Sequence, residues 1–391
     1  MPNLLESLTA ELNRNIFYRE FSFAKNEFVG VSPGQAKEFA DHVVWIDDLL
    51  MVYQLKEREQ IDAGDAEAER NWFKKKVLGD ATRQVRDTLR FLQEHPVIDI
   101  TNERGHTLNV NSARIKHVVK LVLYQPGPGL PEDCLAVKHH TSRTAGFIHV
   151  LPWNNYLDMC RTLVTPAEVA EYFDFRQNIL TKWPPPDVPS EVALVGQYLA
   201  DAGEARPSED YAELLRRLKD DLPEFDISFL LDGMADRIEY QFEGTGSEVD
   251  YYAIIAEFAK LNRLELKEVK KRLTLCLEAV REDRFMAPTR IISTATRCGF
   301  VFIPVESELL GDASPERRAK GLRNLTLISK YQQRLDRHVG VAIAKEGTDR
   351  LLDFCFVDFP WETDAAMEEV VRDQNLFRPL RSELRPRYEA R

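Results

Sequence analysis

The stretch DHVVWIDDLLMVYQLK, residues 41 to 56, constrains the fold more than any other part of the chain. Its ten apolar residues are split by the adjacent pair Asp47 and Asp48. Neither half is long enough for a helix, and Val, Trp, Ile and Tyr are strand formers. Aspartate suits a turn because its short side chain bonds nearby backbone and tolerates left-handed conformations. The pattern therefore predicts a buried antiparallel hairpin, with strands over 41–47 and 49–56. A symmetric turn pairs residue 46 with 49, and counting outward pairs 41 with 54.

Three polar residues interrupt this apolar hairpin at its open end. Side chains alternate faces along a strand, so Gln54 and Lys56 point to the same face as Asp41. Directly opposed residues have Cβ atoms about 4.5–5.5 Å apart. The convergence suits metal-assisted hydrolysis of a phosphodiester. Mg²⁺, or Mn²⁺ in its place, takes oxygen ligands and keeps several waters. Asp41 offers an anionic ligand and Gln54 a neutral carbonyl oxygen. Lys56 can orient or help deprotonate the attacking water and stabilise charge on the phosphate. The opposing reading is structural: Asp41 begins a strand, and the run KERE from Lys56 to Glu59 is a solvated strand end.

The surroundings alternate between helix and strand. Leu4, Leu5, Leu8 and Leu12 form a helical stripe over residues 3–14, and FYREFSFAKNEFVG reads as a strand or hairpin. A long charged helix follows the hairpin from Ala66 to Glu94 and is stopped by Pro96. VIDITN and HVVKLVLYQPG read as two buried strands separated by the turn NERGH, and AGFIHVLPW as another. The next helix has Thr165 as N-cap, Pro166 at its first position and Glu168 in the capping-box position. KWPPPDVPSE, with four prolines in six residues, is stiff and marks a domain boundary. Residues 190–285 read as helical. The last hundred return to strands, GFVFIPVE, HVGVAIAKEG and LLDFCFVDFPWE, with a basic helix over 314–337 after the first. The fold class is α/β, divided as 1–182, 183–285 and 286–391.

Asp41, twelve intervening residues, then Gln54-Leu55-Lys56 resembles the motif of the PD-(D/E)xK nuclease superfamily, in its Asp…Gln-x-Lys variant. The order helix, strand, hairpin, helix, strand fits as well, over roughly residues 1–150. The resemblance implies a restriction-endonuclease-like N-terminal domain with a mixed sheet, a helical middle region and a small α/β C-terminal domain. It implies a metal-dependent endonuclease using Mg²⁺ or Mn²⁺, acting on DNA in restriction or phage defence. A homo-oligomer or a defence partner protein would fit that role. Members often carry a Glu on the first helix. Glu11 is the candidate, with Glu20 and Glu38 as further ones and Glu6 on the outer face. A Gln on the helix after the motif also recurs, and Gln84 matches it. The alternative is a nuclease fold with a degenerate site, serving as a nucleic-acid-binding or assembly module.

Net charge bounds the partners. At −12 the chain is not coated by nucleic acid, so contact must be local. Lys74, Lys75, Lys76, Arg83, Arg86 and Arg90 supply one basic run beside the motif. Arg317, Arg318, Lys320, Arg323, Lys330, Arg334 and Arg337 supply another. Either can neutralise phosphates or be an ordinary solvated helix face. Cys134, Cys160, Cys276, Cys298 and Cys355 never form a CxxC pair and read as free thiols of a reducing cytoplasm. No apolar run approaches a membrane span. His139 and His140, near Glu132 and Asp133, point to opposite faces of a strand and do not suit one ion. QPGPGLP lacks the Lys-Ser/Thr ending of a P-loop.

Overall fold

The computed structural model describes residues 12, 16–24, 27–29, 36–38, 40–58, 65–102, 105–183, 187–218, 222–231, 250–306, 315–346, 349–373 and 376–380. The chain is mixed α/β. It divides into two units, residues 1–220 and 221–385, the first also taking in 386–391.

The first unit is built on a six-stranded sheet. Its strands are β1 (Ser22–Ala24), β4 (His42–Ile46), β5 (Leu49–Lys56), β8 (His117–Tyr124), β10 (Gly146–Pro152) and β9 (His139–Ser142), in that spatial order. β1, β4 and β5 are antiparallel neighbours, and β5, β8 and β10 run parallel. β9 closes the far edge antiparallel. The hairpin turn has Asp47 in the left-handed region, φ 51°, as expected of an aspartate there.

Helices cover both faces. α2 (Ala66–Trp72), a π-helix (Phe73–Ala81) and α3 (Thr82–Glu94) form one uninterrupted helical run over 66–94. Asp65 caps it, its carboxylate accepting the Glu67 N–H. Phe73, Val77, Ala81 and Val85 pack on Val122, Tyr124, Ile148 and Val150, and Leu92 packs with Trp45, Leu50 and Val52. Each such buried aliphatic side chain contributes about 1.5–3 kcal/mol. The opposite face lies against α1 (Ile16–Phe21), α4 (Trp153–Thr162) and α5 (Pro166–Lys182). There Tyr53 shares a hydrogen bond with Tyr156, and His149 meets Phe173.

Thr165 caps α5 as expected, accepting the Glu168 N–H. The proline-rich segment is not where the units divide. α6 (Glu191–Leu199) and α7 (Tyr211–Leu218) belong to the first. Buried Arg176 of α5 explains why. It holds Glu191 through Nε at 2.7 Å and Nη2 at 3.1 Å, and donates to the carbonyl of Lys138 and to Nδ1 of His149. A buried charge must be paired, and this pair crosses the prolines. VIDITN also departs from expectation. Among the described residues, β6 (Val97–Thr101) pairs only with β7 (Thr107–Asn111) in a separate ribbon, with alternate residues exposed. β2 (Glu27–Val29) and β3 (Ala36–Glu38) form a second ribbon.

The second unit carries the sheet β11 (Thr289–Ile292), β12 (Cys298–Pro304), β13 (Arg337–Glu346) and β14 (Asp349–Asp358), with only the β12–β13 pair parallel. Its helices include α8 (Tyr252–Ala259), α9 (Arg263–Arg281), α10 (Pro315–Gln333) and α11 (Ala365–Asp373). α10 carries most of the basic run of the sequence, but Arg334 falls in the turn after it and Arg337 opens β13, paired with Glu257 at 2.7 Å. No helix among the described residues is long and apolar enough to cross a membrane. All five cysteines are free thiols.

Candidate active site

β5 and β8 end together, and ligands in open α/β sheets gather at such carboxyl ends. Asp41 stands at this edge, immediately before β4. The hairpin ladder runs from Ile46↔Leu49 to His42↔Tyr53, so the next step outward sets Asp41 opposite Gln54. One Asp41 oxygen, Oδ2, accepts the backbone N–H of Leu55 at 2.7 Å and lies 3.6 Å from the Lys56 ammonium. Lys56 is 14 % exposed and Asp41 24 %.

Gln54 is 2 % exposed, and its Oε1 is buried with no hydrogen-bond partner. An unsatisfied buried acceptor costs about 1–3 kcal/mol, so its persistence calls for a reason. A bound cation is one. Beside the Asp41 carboxylate, Gln54 Oε1 makes an oxygen-only donor set of the kind Mg²⁺ or Mn²⁺ takes. The donors fit a hard cation with a single negative charge. Among the described residues there is no group of three or more His, Cys, Asp or Glu side chains able to hold a metal.

The remaining sequence candidates separate. Glu11 and Glu6 lie outside the described residues. Glu20 is buried in α1, but β1 begins beside Val44 with Ser22, so Glu20 lies toward the turn end of β4, away from Asp41. Glu38 is in the β2–β3 ribbon. Lys74, Lys75 and Lys76 are exposed on the π-helix, and Arg83 on α3. Asp80 takes Lys76 at 3.0 Å and Arg83 at 3.1 Å, and Lys76 holds its carboxyl below the usual range. The patch is thus less positive than its cation count. Gln84 is half-buried with Oε1 unpartnered. His139 stacks on Phe147, and Asp133 is held by Arg70, which leaves no shared ion site there.

Three groups at this edge were not singled out by the sequence. Arg58, from the charged run read as a solvated strand end, turns back onto α2. Its guanidinium lies 4.5 Å from the Trp72 ring centre and 2.7 Å from Oε2 of Glu69. Glu69 is fully buried. Tyr124, the register partner of Lys56, has a buried hydroxyl with no partner. Burial pushes that phenol well above its usual value. Comparison with known proteins finds no matching family model, no matching curated protein and no matching solved structure.

Proposed function

We propose that the first unit is a metal-dependent endonuclease of the PD-(D/E)xK type, cleaving DNA in restriction or phage defence in the cytoplasm. One observation carries the reading. The Asp41 carboxylate, one step beyond the His42↔Tyr53 pair, accepts the Leu55 N–H at 2.7 Å and lies 3.6 Å from the Lys56 ammonium, which places it at the Gln54 level of the hairpin. An acid, an amide oxygen and a cation meet at the carboxyl edge of a mixed sheet, in the order the motif requires.

Asp41 and Gln54 would hold Mg²⁺ or Mn²⁺, which when bound polarises the phosphoryl oxygen and acidifies a coordinated water. Lys56 donates to the attacking water or to the phosphate oxygen and stabilises the added negative charge. The Leu55 N–H fixes the Asp41 carboxylate in place. The buried walls, Val52 and Val122 among them, keep bulk water from these contacts and so strengthen them.

The test is plasmid incubated with Mg²⁺ or Mn²⁺. Wild type should nick or linearise it, and Lys56→Ala should lose cleavage while keeping its circular dichroism and melting temperature. Lys56 is near a strand end, so its loss removes a charge and little buried area. Cleavage by the variant at the wild-type rate would refute the assignment.

A second reading has its own observation. Asp41 Oδ2 already serves the Leu55 N–H and Lys56, and the site offers one carboxylate where a stronger metal centre has two. On that reading the fold binds nucleic acid or assembles with a partner without cutting, and wild type leaves plasmid intact at every metal concentration.

A further inference from the structure

We propose that Arg58, held in place by Glu69 and Trp72, is the phosphate-binding residue of this site, with the Tyr124 hydroxyl as a second donor. The inference rests on the phosphodiester reading above and assigns the groups that would grip the scissile or neighbouring phosphate.

Arg58 follows Lys56 by two residues and reaches α2, on the sheet face where Gln54 and Lys56 also lie. Trp72 covers one face of its guanidinium at 4.5 Å, and Glu69 takes one edge at 2.7 Å. The Glu69 carboxylate is seated against Gly127, where a Cβ would come 2.7 Å from Oε2. A side chain at 127 would have to push that carboxylate aside. Burying a carboxylate is costly unless it is paired, and both Glu69 oxygens lack a well-formed hydrogen bond. The chain therefore carries a fully buried acid whose one ion partner among the described residues is Arg58. A surface arginine needs no such support; here Nε and Nη2 of Arg58 are buried against it, which fixes the guanidinium and leaves Nη1 to meet a phosphate. Guanidinium geometry matches phosphate oxygens, and pre-organisation lowers the entropy lost on binding.

Tyr124 supplies the independent observation. Tyr124 pairs with Lys56 in the β5–β8 register, its hydroxyl is buried without a partner, and burial keeps it protonated, so it remains a donor. The donors Lys56 and Tyr124 thus share the carboxyl edge of β5 and β8 with the acceptors Asp41 and Gln54, and Arg58 follows two residues on. That division matches a phosphodiester anion next to a cation.

The experiment measures fluorescence anisotropy of a labelled DNA duplex over a series of salt concentrations, with Ca²⁺ present, alongside plasmid cleavage. Arg58→Ala should weaken binding about tenfold or more and make the salt dependence shallower by about one phosphate contact. Arg58→Lys should restore the salt slope but only part of the affinity, because the planar guanidinium fixed by Trp72 and Glu69 is lost. Tyr124→Phe should weaken binding severalfold with an unchanged melting temperature. Glu69→Gln should weaken it as well, through loss of the fixed guanidinium. If wild type cuts DNA and Arg58→Ala and Tyr124→Phe match it in affinity, salt slope, KM and kcat, this inference fails and the nuclease reading stands; if wild type binds without cutting and the variants match it, this inference and the nuclease reading both fail. If wild type neither binds nor cuts, both fail together.

Discussion

Gln54 is where the chemistry of one residue decides between the two readings. The position is 2 % exposed, so a carboxylate placed there is buried beside Asp41. Without a cation, Gln54→Glu sets two acids across a strand pair, which destabilises by like-charge repulsion and desolvation. With a cation, the same change adds a negative ligand and tightens the site. The variant should therefore melt below wild type in EDTA and recover with millimolar Mn²⁺, by more than wild type gains, since ligand binding stabilises in proportion to ln(1 + [L]/Kd). A melting temperature that stays low at all Mn²⁺ concentrations rules out a working metal centre. Asp41, Gln54 and Lys56 were legible in the sequence because a two-residue turn fixes the count outward along the hairpin. Glu69, Arg58 and Tyr124 were not. Each looks ordinary in the linear chain, as a helix acid, a strand-end cation and a core tyrosine. Only the packing of α2 over the carboxyl edge joins them.

At the scale of elements, helix termini and the hairpin could be read, whereas the approach of one helix to another could not. The run 66–94 has its boundaries written in Asp65 and Pro96. Its π-helical segment Phe73–Ala81 has no such mark, because an apolar residue at every fourth position serves either helix type. Two helical glycines make the same point quantitatively. A Cβ at Gly321 of α10 meets nothing within 4 Å, whereas one at Gly196 of α6 would lie 2.0 Å from the Tyr211 carbonyl oxygen. Glycine to alanine in an open helix gains about 1 kcal/mol. Gly321→Ala should show that gain. At Gly196 the obstacle is backbone, which cannot rotate aside, and overpacking costs about 1–3 kcal/mol. The clash outweighs propensity, so Gly196→Ala should be destabilised by up to about 2 kcal/mol net. Urea denaturation of both variants checks the signs. A gain at Gly196 would mean that α6 and α7 have slack between them.

For the whole molecule, three histidines are buried in neutral form, two in the first unit and one in the second. Burial lowers His42 to about 4 and His149 well below its ordinary value, and it pushes His338 to about 3. His149 accepts from Arg176 and His338 bonds Ser329, but both ring nitrogens of His42 are buried with no partner. A folded value below the unfolded one near 6.5 means that the unfolded chain takes up protons first as pH falls. The stability contributed by each neutral histidine is thus whole above pH 6.5 and is lost from there toward pH 4. At pH 5.5 the loss is about 1.4 kcal/mol per histidine. Half-buried His139 and His140 add in the same direction. His117, raised by its hydrogen bond to Asp174, opposes them weakly from a partly exposed position. Between pH 7 and 5.5 the first unit should therefore lose about twice what the second loses. His42→Leu separates this cause from general acid effects. It deletes two unsatisfied buried nitrogens at similar volume, so stability at pH 7 should hold or rise. It also removes one proton-linked group, so the drop from pH 7 to pH 5.5 should shrink by about 1.2 kcal/mol. Guanidinium unfolding of wild type and variant at the two pH values measures both quantities. An unchanged acid loss in the variant would show that His42 is not held neutral by the fold.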